Sequence, residues 1–502
     1  MVLFFADLLT QVFDASFNNF CEGETRSLLR WVMNFVYFLA FLLNTFKCEA
    51  FAGNISLNPS SWTFRQFAAW NFKDILNDSC IDSSDQLDET KPHNTTMKEL
   101  NGKSMTVFRE RGDVLTLLER YILTSKTSSG LFMDSSDGGG LHELHLITSA
   151  TSIGAVCLDG SPPGIYLRNG TGVDKSKWII FFGGGAWCHD PDTCYERSNT
   201  ELGSSNCFPR YLRLEGLLSN QACHNPDFNT WTSVFIRYCD GASFTGDRTH
   251  PLEVNNRKLY FRGRRILDAV LDELLRRGIN HASEIIVGGR SAGALTAMIH
   301  SDYIRKRFQR ATNASFRVLS DAGFFVDAPS LNGSEIIQSV FRQAYSLHNS
   351  SMSFNRGCVR AQKCKQEWRC FFPQYLIPFL SSPIFLVNSL YDLWQIAFLS
   401  NVPCVLKLNT CNTSELSYIM SFRDRTLQAL RSVFNADTTA VFADACFVHT
   451  QTVMNDLWTN IRVRNITMAQ AFADWYDGDV LNRFGIDDPY PSNPSCPKDY
   501  HI

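Results

Sequence analysis

One short stretch restricts the fold of this chain more than any other. Ile285-Ile286-Val287-Gly288-Gly289-Arg290-Ser291-Ala292-Gly293-Ala294 runs from an apolar strand pattern through G-x-S-x-G into a segment, Leu295 to Arg305, that suits a helix. Small residues on both sides of the serine fit a sharp strand-to-helix turn, where a neighbouring Cβ would collide with the backbone. A tight turn around a purely structural serine is the plainer alternative. The surroundings favour the sharper reading. Tyr260 to Arg276 places Ile266, Val270, Leu271, Leu274 and Leu275 on one helical stripe. Short apolar runs at Gly164–Leu167, Trp178–Phe182, Ser233–Arg237, Glu284–Val287, Phe316–Leu319, Pro383–Val387 and Thr439–Phe442 read as strands. Such runs alternating with amphipathic helices predict a mostly parallel central sheet covered by helices.

A nucleophilic serine needs donors for the developing oxyanion, a base and an orienting acid. The run Trp178-Ile179-Ile180-Phe181-Phe182-Gly183-Gly184-Gly185-Ala186-Trp187 ends a strand in three glycines, whose amides can approach a ligand closely. Gly185 and Ala186, with Ala292, are the expected oxyanion donors. In the α/β-hydrolase order the acid and then the base follow the serine. Asp392 lies just after the Pro383–Val387 strand and His449 lies in the loop after the last strand, so Ser291, Asp392 and His449 are the candidate triad. His300, His348 and His501 compete for the base, and Asp321 and Asp444 for the acid.

Composition supplies the setting. Forty-seven Lys and Arg against 50 Asp and Glu leave a formal charge of −3, too little positive charge for a nucleic-acid partner. Sixteen cysteines suit an oxidising compartment. Cys358, Cys364 and Cys370 lack the paired spacing of a zinc site, and neither a metal nor a cofactor is expected. N-x-[ST] sequons at Asn54, Asn77, Asn94, Asn169, Asn313, Asn332, Asn349, Asn412 and Asn465 agree with a secretory route. Arg26 and Arg30 precede the apolar run Trp31–Leu43, which reads as a signal peptide with Met33 as a possible true start. An uncleaved anchor, giving a type II membrane protein, and a buried helix are the alternatives. Loss of Cys21 and Cys48 with a leader leaves fourteen cysteines, compatible with full pairing. The chain therefore divides into a leader at residues 1–50, a polar N-terminal extension at 51–146 with one helix expected over Met105–Leu123, and a catalytic domain at 147–502.

Several motifs carry a resemblance to a known family. Gly183-Gly184-Gly185-Ala186-Trp187-Cys188, Cys194, Asn225-Pro226-Asp227-Phe228, Arg237-Tyr238-Cys239-Asp240-Gly241-Ala242-Ser243-Phe244-Thr245-Gly246-Asp247, Ser291-Ala292-Gly293, Leu319 to Phe325, Tyr391-Asp392-Leu393-Trp394-Gln395 and Cys446 to His449 are similar, in the same order, to the pectin acetylesterase and Notum carboxylesterase family. The resemblance covers about Ile147 to His449. It implies an extracellular α/β-hydrolase with its triad on Ser291, Asp392 and His449. The substrate it implies is an acylated glycan or glycoprotein, either O-acetyl pectin as in the plant branch or an acylated protein as in the Notum branch. The chain departs from the pattern in its extra Ala186, in Arg290 before the nucleophile and in Ala294. Arg290 and Trp187 are candidate substrate contacts; for Arg290 a carboxylate partner on the surface is the preferred reading, an anionic sugar the other. A serine esterase acting most readily on O-acetyl groups, and working as a monomer, is the leading expectation. A non-catalytic glycan-binding protein on the same fold is its rival from another class.

Overall fold

The computed structural model describes residues 140–434, 438–478 and 483–498. The apolar run Trp31–Leu43, the helix expected over Met105–Leu123, the sequons at Asn54, Asn77 and Asn94, and His501 lie outside the described residues. The central element is a ten-stranded sheet. Its strands are β1 (Leu141–Leu146), β2 (Gly164–Arg168), β3 (Lys177–Phe182), β4 (Tyr211–Arg213), β5 (Thr232–Ile236), β6 (Glu284–Arg290), β7 (Ser315–Asp321), β8 (Ile384–Val387), β9 (Thr439–Ala443) and β10 (Phe484–Ile486). They lie in the order β10-β9-β8-β7-β6-β3-β5-β2-β1-β4. Neighbours from β10 to β5 are parallel, whereas β5–β2, β2–β1 and β1–β4 are antiparallel. All seven expected strands form, within a few residues of their expected bounds.

Two differences from the sequence reading concern boundaries. Leu141–Leu146, placed above in the extension, pairs with β2 and β4, so the sheet begins before residue 147. The helix expected over Leu295–Arg305 divides into α2 (Ala292–Ile299) and α3 (Ser301–Gln309), after α1 (Gly263–Arg276). Every residue of α2 is buried, while α3 buries only Ser301, Ile304 and Phe308. A fully enclosed segment and a one-faced segment need different axes, and the break falls at the buried His300.

The parallel strands read as continuous apolar runs because both sheet faces are covered. Ile180, Phe182, Val234, Ile236, Ile285 and Val287 pack with α1 and α2 on one face. Tyr166, Ile179, Phe181, Phe235, Ile286 and Leu319 pack on the other, together with Phe472 of α4 (Met468–Tyr476). Each such side chain stabilises the fold by about 1.5–3 kcal/mol. The result is a rigid platform whose parallel strands all end at one edge, where ligands of open α/β sheets bind.

Disulfides join Cys157 to Cys239, Cys188 to Cys194, Cys358 to Cys370, Cys404 to Cys411 and Cys446 to Cys496, and Cys364 is also disulfide-bonded. Cys207 and Cys223 are exposed free thiols, so the fourteen cysteines left without Cys21 and Cys48, a number compatible with full pairing, are not all paired. Among the described residues no helix is long and apolar enough to cross a membrane.

Candidate active site

β6 ends at Arg290 and α2 begins at Ala292, so Ser291 occupies the turn between them, with φ 53° and ψ −125°. A non-glycine residue held there costs on the order of 1–3 kcal/mol and persists only where its surroundings enforce it. Close approach explains the flanking glycines. A Cβ on Gly289 would lie 2.2 Å from the Gly293 carbonyl oxygen, and one on Gly293 would lie 2.2 Å from that of Phe182. The Ser291 amide donates to the Asp321 carbonyl at 2.8 Å, which ties the turn to β7.

Ser291 Oγ lies 3.0 Å from His449 Nε2. His449 Nδ1 lies 2.9 and 3.1 Å from the two carboxylate oxygens of Asp392. All three side chains are buried. The Gln395 amide also donates to Asp392 Oδ1, at 2.9 Å, so the carboxylate is fixed from both sides. The His449 ring stacks on Trp394, with centroids 5.6 Å apart.

The rival residues do other work. His300 and His348 are fully buried, and burial, the larger cause, pushes each ring down to about 3. His348 Nε2 faces the Cys188 carbonyl at 2.9 Å. Asp321 accepts from the amides of Gln451 and Thr452 and from the Thr452 hydroxyl, and so holds the segment following His449. Asp444 accepts from Gln451 Nε2 and the Cys446 amide, and burial raises it to about 7.

The triple-glycine loop lies directly on the elbow: a Cβ on Gly184 would come within 2.4 Å of the Arg290 carbonyl oxygen and 3.0 Å of Ser291 Cβ. Gly185 has φ 143° and Ala186 φ 51°. No acceptor among the described residues takes the amides of Gly185, Ala186 or Ala292. Three donors without internal partners, gathered beside a serine, suit a developing negative charge.

The loop is held by residues that sequence reasoning did not single out. Tyr238 Oη donates to the Ala186 carbonyl at 2.8 Å and accepts from the Ser243 amide at 3.0 Å. Ser243 Oγ accepts from Trp187 Nε1 and donates to the Ala292 carbonyl, both at 2.8 Å. Asp240 fixes this clamp by accepting from the amides of Ala242 and Phe244, and burial lifts it to about 6. These residues sit in the Arg237–Asp247 motif quoted above, which was the available signal. Trp187 itself is buried edge-on against Phe325 and Phe341 at 4.8 Å and Trp394 at 6.2 Å. Arg290 is half-buried, and no carboxylate among the described residues pairs with it, which corrects the preferred reading of a surface ion pair.

Cys188, Cys194 and His348 come close enough together for a metal, but the two cysteines are joined as a disulfide.

Comparison with known proteins gives this arrangement a class. A family model described as pectinacetylesterase matches residues 136–497. Pectin acetylesterase 5 of Arabidopsis thaliana is 36% identical over 369 residues, spanning 71% of this chain and 85% of that protein. The palmitoleoyl-protein carboxylesterase NOTUM of Schmidtea mediterranea is 30% identical over 331 residues, 64% of this chain and 60% of that protein. Among solved structures, the Wnt deacylase Notum from Drosophila superposes with a TM-score of 0.62 at 26% identity, covering 71% of this chain and 99% of that one. The chain is thus a carboxylic ester hydrolase on an α/β-hydrolase fold. More particularly, it belongs to the pectinacetylesterase family.

Proposed function

We propose that the protein removes O-acetyl groups from an extracellular polysaccharide through Ser291, His449 and Asp392. The observation that carries this reading is the continuous hydrogen-bonded path from Ser291 Oγ through His449 to Asp392, at 3.0 and 2.9 Å. Ser291 Oγ attacks the ester carbon while His449 Nε2 takes its proton, and Asp392 keeps the imidazole in the tautomer that leaves Nε2 free. The oxyanion is received by the amides of Ala292 and of Gly185 or Ala186. His449 returns the proton to the departing sugar oxygen, and water then releases acetate from the acyl-enzyme by the same route.

Two observations support a short acyl group. The buried rings of Trp187, Phe325, Phe341 and Trp394 pack on one another beside the triad, Trp394 stacking on His449, and a short acyl group asks for no deep channel among them. Identity to the Arabidopsis acetylesterase also exceeds identity to either Notum protein. An oxidising compartment is supported by the disulfides, and glycosylation by the sequon asparagines at 169, 313, 332, 349, 412 and 465, all of which are exposed. The run Trp31–Leu43 is proposed as the leader.

Hydrolysis of p-nitrophenyl esters from acetate to palmitate by the secreted protein and its Ser291→Ala variant tests the proposal. The expected result is a maximum at acetate and a loss of about 10⁴-fold or more in the variant. A maximum at eight or more carbons would transfer the reading to protein deacylation as described for Notum. Undiminished turnover by Ser291→Ala would remove the triad assignment.

A further inference from the structure

A cleft of about 550 Å³ opens at the edge of the sheet opposite the candidate active site. Trp178 near the start of β3 and Thr232 at the start of β5 are register partners, and both line it. The beginning of β6 lies close by, since Glu284 pairs with Lys177. Ser291 follows the far end of β6, seven residues on, a separation on the order of 20 Å. The cleft is therefore remote from the ester chemistry.

Asn169, directly after β2, lines this cleft and is the acceptor of the sequon Asn169-Gly170-Thr171. Asn169 and Thr171 are both exposed. The backbone of the sequon is pinned to the segment that opens β5. The Gly170 amide donates to Thr232 Oγ at 2.9 Å, and the Thr171 amide donates to the Thr230 carbonyl at 2.8 Å. A Cβ on Gly170 would lie 2.7 Å from the Thr232 nitrogen. A sugar attached to Asn169 thus grows from a fixed root on the cleft wall. Around that root, Lys175, Ser176, Arg277 and His281 supply N–H and O–H donors, and none of the lining residues, all of them described, is acidic. Arg277, at the end of α1, is steadied by Glu273, which accepts from its Nε at 2.5 Å. The acetamide carbonyl and hydroxyl oxygens of N-acetylglucosamine are acceptors that match such a lining. Weak contacts suffice, because the covalent link removes the cost of bringing the sugar to the protein and sets a high local concentration. The volume is within the range of pockets that enclose small molecules.

We propose that Asn169 carries an N-linked glycan whose first N-acetylglucosamine residues seat in this cleft and act as part of the fold, bridging the end of β2, the turn before β3 and the end of α1. The proposal rests on the secretory route proposed above and is independent of the esterase chemistry.

The test uses the full chain secreted from eukaryotic cells. Peptide N-glycosidase converts each asparagine it releases to aspartate, so mass spectrometry reads release site by site. On the native protein, release at Asn169 is expected to be about 10-fold or more slower than at the other glycosylated sequons, because it requires local opening, and the difference should vanish after denaturation. Thr171→Ala, which removes the glycan and keeps Asn169, should lower the thermal midpoint by about 2–4 °C with kcat on p-nitrophenyl acetate unchanged. Thr171→Ser, which keeps the sequon, should match the wild type. His281→Ala should lower the midpoint in the wild type but not in Thr171→Ala. A bare Asn169 in a chain glycosylated at its other sequons would overturn the seat, as would native release at the common rate or equal midpoints for Thr171→Ala and Thr171→Ser. A chain bearing no glycan at any of Asn169, Asn313, Asn332, Asn349, Asn412 and Asn465 would overturn the secretory route itself.

Discussion

Asp392 supplies no atom to the reaction proposed for Ser291, yet its position governs whether His449 can act. Its two oxygens face His449 Nδ1, so that nitrogen carries the proton and Nε2 is left to accept one from Ser291. In Asp392→Asn the amide group also offers N–H toward Nδ1 and favours the opposite tautomer. The asparagine oxygen can still accept from the Gln395 amide, so folding should be little affected. A fall in kcat of about 10³–10⁴ is therefore expected with an almost unchanged melting temperature. Parallel kinetics and thermal denaturation check this. A loss below tenfold would mean that His449 is oriented by other contacts, its stack on Trp394 foremost.

The loop from Asp444 to Thr452 shows how an element positions a residue it does not itself activate. Asp444 at its start holds Gln451, Asp321 on β7 holds Gln451 and Thr452, and His449 lies between these anchors. Asp444 is buried and raised to about 7, so the folded state keeps it protonated where the unfolded chain, with a pKa near 3.8, has released the proton. The folded state therefore binds more protons between about pH 4 and 7. From this group, stability is fully present below pH 4 and is lost as pH rises through 7. Gln451 Oε1 has no partner, and its amide can turn to receive a neutral acid or an Asn at 444. Asp444→Asn is expected to gain stability relative to wild type on going from pH 5 to pH 8, by a few kcal/mol at most. Urea denaturation at the two pH values measures it, and a difference that does not change with pH would mean that Asp444 is ionised throughout. Little of this loop was legible in advance. The elbow Ser291–Gly293 and the run Trp178–Trp187 are legible because their constraint is local: an apolar strand followed by residues small enough for close backbone approach. Asp392 and His449 follow from chain order. Tyr238 and Ser243 find their partners 52 and 56 positions away, and no local pattern reports such a pairing. The strands β1, β4 and β10 are short or lie toward the sheet edges, where pairing rather than apolar content creates a strand.

Across the whole molecule, disulfides tie the loops of the site to distant parts of the chain. Cys157–Cys239 spans 82 residues and fixes the segment leading to Asp240 and Ser243; Cys446–Cys496 spans 50 and fixes the loop that carries His449. Cys188–Cys194 closes only six residues beside Trp187. If the bridges act by restricting the unfolded chain, their contributions follow loop length, at about 4.5, 4 and 2 kcal/mol respectively. Paired Cys→Ser variants should therefore lose stability in that order by urea denaturation. Catalysis should follow a different order. Removing Cys188–Cys194 frees the residue next to Trp187, whose ring is anchored to Ser243, and should lower kcat on p-nitrophenyl acetate more than its small stability cost suggests. The Cys157–Cys239 pair should do the reverse under conditions where the variant stays folded, because the clamp at Asp240 and Ser243 keeps its own hydrogen bonds. Parallel losses of stability and of kcat across the three variants would refute this separation: the short bridge would then be one staple among others, and the oxyanion loop would owe its shape to Tyr238 and Ser243 alone.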